Sequence, residues 1–303
     1  MRTVYLGTSR FAVAVLERLA GSGHRPSLVV TRPDRPRGRG RSLAPPPAAE
    51  AARELGIDLA QPESVNAPGA LERIAAAEPE AVCICAYGGL IKDPLLSAYP
   101  MFNVHPSLLP RWRGAAPVER AIEAGDAKTG VSIMRPTAEL DAGPVCVQRA
   151  EPIEADDDYG SLAGRLKRLS GELLVEALDG SPPFREQPAG GITYAEKVGA
   201  QDRRLDPALD APALERRVRA LTPHIGAFAE LEDGVRLGVR RAALAGAAPA
   251  AEAGTLVAAG ERLFLGCAGG ALELVEVQPP GKRAMTAADW LRGRPDGLAR
   301  VEP

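Results

Sequence analysis

Short apolar runs and longer amphipathic stretches alternate along the first half of the chain. The apolar, β-rich runs lie at residues 3–6, 27–31, 81–86, 102–104, 130–134 and 145–149. Apolar side chains recur at helical spacing at residues 11–19, 48–55, 68–77, 117–124 and 159–178. Strands that alternate with helices are typical of βαβ units. The pattern therefore predicts an α/β fold class with a mostly parallel sheet covered by helices.

The pattern changes at residues 180–191, where glycine and proline cluster and helical spacing stops. A helix at 212–220 then leads into short runs at residues 227–231, 235–239, 254–257, 262–265 and 272–277, and the alanine-rich stretch 242–253 is predicted as an exposed connection. Short strands between glycine-rich turns are typical of small barrels. We predict a Rossmann-like domain at residues 1–180, a linker at 181–205, and a smaller OB-like β-barrel at 206–303.

Composition and charge narrow the possible function classes. The chain has 303 residues, 45% of them hydrophobic and 25% charged, which is the balance of a globular protein with room for two domains. Its net charge of −2 provides no global attraction to nucleic acid or anionic lipid, so a polyanion must be bound by a local patch. The N-terminus runs into a strand pattern without the zones of a signal peptide, and no run of 18 apolar residues follows. We expect a cytoplasmic protein with no membrane partner.

Neither a dinucleotide nor a metal site has support in the sequence. The turn Gly7-Thr8-Ser9 after the first strand has one glycine where a dinucleotide site needs G-x-G-x-x-G, which argues against NAD and FAD. Cys83 and Cys85 share an apolar strand without histidine neighbours. We therefore predict buried free thiols and no metal site.

The segment 103–117 carries the most informative polar residues. It begins at the C-terminal end of a predicted strand, where α/β folds bind their ligands. Strand alternation places Asn103 and His105 on the same side, and burying this pair without a ligand would require other hydrogen-bond partners. Two prolines stiffen the loop that follows, and the residues between them offer backbone groups and apolar contact. Such a loop suits a flat heterocycle.

Of the three histidines, His105 alone lies in a setting that suits catalysis. His24 lies in a loop and is predicted to be solvated, whereas His224, at the entrance to the second domain, is predicted to pack. A histidine relays protons best when an acid orients its ring. Asp141, which precedes a glycine turn, is a candidate for that acid, and spacing alone leaves open a simple turn role.

The segment N-V-H-P-S-L-L-P-R-W-R-G-A-A-P at 103–117 resembles the active-site loop of the methionyl-tRNA formyltransferase family. Other segments are similar to the same family. They are T-R-P-D-R-P at 31–36 with G-R-G at 38–40, A-Y-G at 86–88, G-V-S-I-M at 130–134, T-Y-A-E-K at 193–197 and Q-P-P-G-K-R-A-M at 278–285. The likeness spans nearly the whole chain.

The resemblance implies transfer of the formyl group of 10-formyltetrahydrofolate, as co-substrate, to the α-amine of methionyl initiator tRNA. It assigns catalysis to Asn103, His105 and Asp141. It assigns folate binding to Ser107, Leu108, Leu109 and Pro110, together with Tyr87 and Gly88. These residue types suit the reaction, because attack of the amine on the formyl carbon builds an oxyanion that Asn103 and a proton-bearing His105 can stabilise. The sequence indicates no obligate protein partner.

Two places depart from the family pattern. The family's acid segment D-T-G-D reads D-A-G-P at residues 141–144, so a side-chain contact near the acid is missing. Gly89 occupies the variable position of A-Y-G-x-I/L and adds no side chain to the packing around the folate ring. Asn103, His105 and Asp141 are unaffected.

Arginine is concentrated in a loop between the second strand and the next helix. Guanidinium groups suit phosphates, and by resemblance this loop meets the tRNA acceptor stem, although on charge alone a solvated loop is an equal interpretation. A second basic spot lies near the C-terminus. The predicted tRNA-binding residues are Arg35, Arg37, Arg39, Arg41, Lys282 and Arg283.

Three functions are compatible with this fold. They are an initiator-tRNA formyltransferase, a formyltransferase acting on a sugar amine or another small molecule, and a non-catalytic RNA-binding protein. The second has no evident need for the arginine loop, and the third has no need for convergent Asn103 and His105. The first hypothesis explains both features.

Overall fold

The structure, a computed structural model, describes residues 1–37, 42–246, 248–293 and 300–301. The chain divides into two compact units. The first contains Met1–Pro117, Lys128–Pro152 and Ala163–Ala195, and the second contains Val118–Ala127, Ile153–Leu162 and Glu196–Pro303. Residues 181–195 of the predicted linker thus pack with the first unit. The predicted domain boundaries stay a prediction from sequence.

The N-terminal part of the chain alternates strands and helices. Its strands are β1 (Thr3–Gly7), β2 (Pro26–Val30), β3 (Arg35–Arg37), β4 (Ser42–Ala44), β5 (Asp58–Ala60), β6 (Ala81–Cys85), β7 (Met101–His105), β8 (Arg113–Gly114), β9 (Lys128–Met134), β10 (Val145–Pro152) and β11 (Tyr194–Ala195). Its helices are α1 (Arg10–Ala20), α2 (Pro47–Glu54), α3 (Pro68–Ala76), α4 (Leu95–Ala98), α5 (Pro117–Ala124) and α6 (Tyr159–Gly180).

A seven-stranded sheet in the order β10-β9-β7-β6-β1-β2-β5 organises the first unit. The five strands from β7 to β5 are parallel, and β9 runs antiparallel to both β7 and β10. Every residue of β1 and β6 is buried, as expected for parallel strands covered on both faces. The predicted Rossmann-like sheet is confirmed. Parallel order brings the C-terminal ends of β1, β6 and β7 to one edge.

The turn after β1 has a structural role. A Cβ at Gly7 would lie 2.5 Å from Tyr5 Cε1 and 2.9 Å from Ala12 Cβ, so only glycine lets the strand and α1 approach this closely. Ser9 caps the helix, its Oγ accepting from the backbone N–H groups of Phe11 and Ala12 at 3.2 and 3.3 Å. The turn therefore joins β1 to α1 by packing and capping.

The predicted solvation of His24 is wrong. The ring is buried, with Nδ1 3.2 Å from the amino group of Met1 and Nε2 2.8 Å from Asp179 Oδ1. These partners lie at the chain's start and at the end of α6. The local sequence therefore gives no sign of the burial.

Antiparallel strands form the body of the second unit. They are β12 (Ala227–Glu230), β13 (Arg236–Leu244), β14 (Leu256–Ala259), β15 (Arg262–Cys267), β16 (Gly270–Gln278) and β17 (Met285–Thr286), and the accompanying helices are a 3₁₀ turn (Gln201–Arg203), α7 (Ala211–Leu221) and α8 (Ala287–Arg292). The sheet order is β12-β13-β16-β15-β14, with β17 on β16. The predicted smaller β domain after the Rossmann-like domain is confirmed, and its sheet is antiparallel. The exposed connection was predicted to begin at residue 242, which is wrong for 242–244, because β13 pairs with β16 through Leu244.

Val301 joins the two outer strands of this sheet. It forms an antiparallel bridge with Leu231, just after β12, and its N–H donates to Gly254 O, just before β14, at 2.7 Å. Gly254 has φ +81°, and a Cβ there would lie 2.8 Å from Val301 O. The sheet is thus bridged into a barrel-like form around a core that includes Leu214, Leu263 and Leu272.

Two negative findings concern the described residues alone. No helix in the described ranges is long and apolar enough to cross a bilayer. Within the same ranges, no three histidine, cysteine or acidic side chains are grouped so that they could hold a metal ion.

Cys83 and Cys85 are buried free thiols, as predicted, and burial raises the pKa of each to about 12. Because the thiolate is the nucleophile, we expect iodoacetamide at about pH 8 to leave both unmodified in the native protein and to alkylate both after unfolding. Mass spectrometry of tryptic peptides from native and guanidinium-treated samples measures this. Equal labelling rates in the two samples would contradict the burial described here.

Candidate active site

Asn103 and His105 lie on the same side of β7 near its C-terminal end, as predicted. β7 runs between β6 and β9, and Asn103 is paired with Met134 of β9. Its Nδ2 lies 3.4 Å from Met134 Sδ. A thioether sulfur is a weak acceptor, so this amide retains hydrogen-bonding capacity for a stronger one, such as an oxyanion.

The imidazole of His105 is held from both of its nitrogens. Nε2 lies 2.8 Å from the carbonyl oxygen of Trp112, and Nδ1 lies 3.6 Å from Asp141 Oδ2. A carbonyl oxygen only accepts hydrogen bonds. Nε2 therefore carries a hydrogen and donates a hydrogen bond to the carbonyl oxygen of Trp112. Nδ1 is then the nitrogen available to gain or lose a proton. The Asp141 carboxylate lies beside this nitrogen.

A tight turn presents Asp141 to His105. Asp141 has φ +44°, and its Oδ2 accepts from the backbone N–H of Gly114 at 2.9 Å. Two residues later, a Cβ on Gly143 would lie 1.9 Å from the carbonyl oxygen of Arg135, so no larger residue fits. Pro144 contributes its carbonyl, which accepts from Arg135 N at 2.9 Å. The turn thus keeps its backbone pairing although proline stands where the family has aspartate.

The predicted folate stretch divides into buried and accessible residues. Ser107 and Leu109 are buried, whereas Leu108 and Pro110 are partly exposed. The Ser107 hydroxyl donates to Arg111 O at 2.6 Å. Ser107 and Leu109 therefore belong to the scaffold, and Leu108 and Pro110 offer apolar surface.

Two polar residues that sequence reasoning missed support this stretch. The Ser132 hydroxyl donates to Ser107 O at 2.6 Å and accepts from Leu109 N at 3.2 Å. Gln148 Nε2 donates to Leu109 O at 3.0 Å and to Ser132 Oγ at 2.8 Å. A serine inside the run G-V-S-I-M at residues 130–134 was a usable sequence signal for Ser132. Nothing in the sequence marks Gln148.

Tyr87 and Gly88 lie on the loop that follows β6. Tyr87 is 3% exposed and packs in the core, and burial raises the pKa of its hydroxyl while the nearby Arg32 guanidinium opposes that rise. Gly88 is exposed with φ +73°. A Cβ at Gly89 would lie 2.7 Å from Tyr87 Cε1. The missing side chain at Gly89 therefore leaves room for the tyrosine ring.

Part of the arginine-rich loop forms two short strands. They are β3 and β4, at residues 35–37 and 42–44, and they pair antiparallel. Arg35 is exposed. Arg37 lies in β3, and Arg39 and Arg41 lie outside the described residues. In the described residues, β3 and β4 form a two-stranded sheet that is separate from the seven-stranded sheet.

A basic groove lies in the second unit, where Lys282 and Arg283 are exposed on a turn after β16. Residues 279–281 line this groove of about 200 Å³ together with Arg203, Arg236 and Arg240. Arg240 donates to Gln278 Oε1, with its Nε at 2.8 Å, and the Arg236 guanidinium lies 4.7 Å above the Phe228 ring. Arg203 belongs to the 3₁₀ turn, whereas Arg236 and Arg240 belong to β13, so no single local motif in the sequence indicates all three.

Comparisons with known proteins agree on one family. The formyl transferase profile matches residues 1–178, and the profile of the formyl transferase C-terminal domain matches residues 197–295. The methionyl-tRNA formyltransferase of Methylococcus capsulatus is 46% identical over 298 residues, which cover 96% of each chain.

Solved structures share the fold at low sequence identity. The methionyl-tRNA formyltransferase from Clostridium thermocellum has a TM-score of 0.60 at 16% identity, covering 81% of this chain and 94% of that one. HypX from Aquifex aeolicus in complex with tetrahydrofolic acid has a TM-score of 0.63 at 19% identity, covering 98% of this chain and 48% of HypX. This chain therefore spans about half of HypX. On the profile matches and the full-length identity, the chain belongs to the methionyl-tRNA formyltransferase family.

Proposed function

We propose that this chain transfers the formyl group of 10-formyltetrahydrofolate to the α-amine of methionyl initiator tRNA, using Asn103, His105 and Asp141. One observation carries the catalytic assignment. His105 lies between the Trp112 carbonyl and the Asp141 carboxylate, at 2.8 and 3.6 Å, on the same side of β7 as Asn103. A proton-transfer group and an amide donor at the C-terminal end of a parallel strand suit acyl transfer to an amine.

The chemistry requires one bond to form and one to break. The amine nitrogen attacks the formyl carbon, and the carbonyl oxygen becomes an oxyanion to which the Asn103 amide can donate. The amine proton passes to His105 Nδ1, where Asp141 balances the charge. His105 then returns a proton to the departing folate nitrogen as the original carbon–nitrogen bond breaks. The products are formylated amine and tetrahydrofolate, without a covalent enzyme intermediate.

Folate binding is proposed at the 107–110 stretch. Leu108 and Pro110 are accessible to a flat ring, while Ser132 and Gln148 hold the backbone behind them through hydrogen bonds of 2.6 to 3.2 Å. Tyr87 and Gly88 are proposed to complete the site from the loop after β6, Tyr87 as a buried support and Gly88 as accessible backbone. A rigid apolar edge with backbone groups suits a heterocycle that must be oriented as well as bound.

Binding of tRNA is proposed at two basic surfaces. The first is the arginine-rich hairpin, with Arg35, Arg37, Arg39 and Arg41. The second is formed by Lys282 and Arg283, which directly follow the groove-lining residues 279–281, and we include Arg203, Arg236 and Arg240, which line that groove. Several guanidinium groups close together favour phosphates, because each offers a fork of donors at fixed geometry.

Replacing Arg37, Arg39 and Arg41 together with alanine should weaken tRNA binding and flatten its salt dependence. Each lost phosphate contact reduces the magnitude of the negative slope of log K against log salt concentration by about 0.7 to 0.9. Filter binding across a salt series measures the slope. Arg2→Ala is the control. The side chain of Arg2 is 61% exposed, and the residue directly precedes β1, at the edge of the sheet opposite the C-terminal ends of the parallel strands. A slope equal to that of the wild type would show that these arginines do not contact tRNA phosphates and would support the interpretation of a solvated loop.

The proposed reaction is tested by formyl incorporation from 10-formyltetrahydrofolate labelled in the formyl carbon. Methionyl initiator tRNA, uncharged tRNA and a panel of amino sugars serve as acceptors in parallel. Label on the charged tRNA alone supports both donor and acceptor. Label on a sugar retains the catalytic assignment and overturns the acceptor, and no label on any acceptor overturns the proposed function.

A further inference from the structure

The side chain of Gln187 uses its whole hydrogen-bonding capacity beside the candidate acid. Its Nε2 donates to the carbonyl oxygens of Asp141 and Gly143, both at 2.7 Å. Its Oε1 accepts from Arg113, from Nε at 3.1 Å and from Nη2 at 2.8 Å. We propose that Gln187 is a positioning residue that holds the Asp141 turn in place against His105.

The anchor of Gln187 is itself fixed. Arg113 is 5% exposed, so its guanidinium is held inside the first unit. The backbone of Arg113 belongs to β8, which pairs in parallel with β11, and its N–H donates to Thr193 O at 2.9 Å. A buried fork of two N–H groups fixes the amide oxygen of Gln187. The amide nitrogen is therefore directed at the two carbonyls of the turn.

Residues 112–114 thus set the geometry of the pair His105 and Asp141. The carbonyl of Trp112 accepts from His105, and the N–H of Gly114 donates to the Asp141 carboxylate. Arg113, between them, reaches the backbone of Asp141 through Gln187. The carboxylate is therefore fixed directly and its backbone is fixed indirectly from one segment.

The turn needs this support because of its backbone conformation. Asp141 has φ +44°, in the left-handed region that residues with a Cβ rarely adopt. The side-chain amide of Gln187 donates to the backbone carbonyls of Asp141 and Gly143, on either side of Ala142, and these hydrogen bonds oppose relaxation of the turn. If the turn relaxes, Asp141 Oδ2 leaves its position 3.6 Å from His105 Nδ1.

Two substitutions at residue 187 distinguish the contact with Arg113, which anchors the side chain, from the hydrogen bonds to the Asp141 turn, which position the acid. A glutamate would keep the contact with Arg113, now as an ion pair. It would also place a carboxylate oxygen against the carbonyls of Asp141 and Gly143, where no donor remains. Gln187→Glu therefore retains the anchor and loses the positioning bonds, whereas Gln187→Met loses both at similar volume.

The inference rests on the proposed function, and steady-state kinetics of the full chain with methionyl initiator tRNA tests it. We expect Gln187→Glu and Gln187→Met to lower kcat about 10- to 100-fold, with KM for 10-formyltetrahydrofolate changed by less than about 2-fold. Gln148→Met is the matched control, because Gln148 supports Leu109 and not the acid turn. That variant is expected to raise KM for the folate and to change kcat less.

A double variant distinguishes positioning from a general loss of stability. If Gln187 acts through Asp141, then Gln187→Glu should lower the rate of Asp141→Asn by less than about 2-fold, because the group it positions has been removed. A full additional 10-fold loss in that background would overturn the inference, as would wild-type kcat in both Gln187 variants. Thermal melting and tRNA binding establish that each variant is folded. An inactive wild-type enzyme would instead remove the proposed function.

Discussion

Replacing His105 with alanine is expected to lower the rate of formyl transfer about 10²- to 10⁴-fold, the usual contribution of a positioned general acid or base. The loss follows from geometry, because Nδ1 is the nitrogen that faces Asp141 at 3.6 Å while Nε2 is committed to Trp112 O. Removal of the ring leaves the amine proton without an acceptor and the departing nitrogen without a donor. Single-turnover transfer at saturating tRNA measures the chemical step.

His224→Ala is the matched control for that variant. His224 lies in the second unit, where its Nε2 is 2.9 Å from Glu119 Oε1 and its ring stacks on Tyr159 at 3.5 Å. The stack agrees with the predicted packing role, although the residue is exposed, and its removal is expected to leave the transfer rate near that of the wild type. Filter binding should give similar tRNA affinity for both variants. Wild-type turnover by His105→Ala would remove the proposed mechanism.

Gly143→Ala is expected to lower the transfer rate about 100-fold and the free energy of unfolding by about 1 to 3 kcal/mol. The new Cβ would lie 1.9 Å from Arg135 O and 3.0 Å from Thr137 Cγ2, so the turn has to move. Movement of the turn displaces Asp141, and a shift of about 1 Å in a catalytic group costs about 10²-fold in rate. Urea unfolding and single-turnover kinetics measure the two effects.

Gly164→Ala gives the contrasting result in the same unit. Gly164 lies within α6, and a Cβ there meets nothing within 4 Å. Alanine replaces glycine in a helix with a gain of about 0.5 to 1 kcal/mol, so this variant should be at least as stable as the wild type and fully active. Gly143→Ala and Gly164→Ala with equal stability and activity would contradict the close approach at Arg135.

Much of the fold could be predicted from sequence, because buried parallel strands are continuous apolar runs. The run at 81–86 became β6 (Ala81–Cys85), and the helical spacing at 11–19 became α1 (Arg10–Ala20). The missed strands are short or polar. The hairpin β3–β4 contains arginine and proline, and β8 and β11 are two-residue strands that pair across about eighty residues of chain. Such pairing depends on tertiary contacts that no local pattern encodes.

The candidate site divides in the same way. Alternation along one strand was enough to place Asn103 and His105 together, because residues two positions apart on a strand point to the same face. Spacing left Asp141 undecided between an acid and a turn residue. In the structure its backbone forms a turn and its carboxylate lies beside His105, so the two interpretations are compatible. Gln187 fell within the predicted linker at 181–205. Its environment depends on the burial of Arg113, which a sequence rich in surface arginine does not indicate.

The bridge made by Val301 also bears on how the second unit avoids self-association. Open strand edges carry unpaired N–H and C=O groups that template pairing with another chain, and many proteins guard them with lysine, proline or bulges. Here Val301 pairs with Leu231 after β12 and with Gly254 before β14, so one residue covers part of both rims. The chain thereby occupies, next to both outer strands, backbone groups that another strand could otherwise pair with.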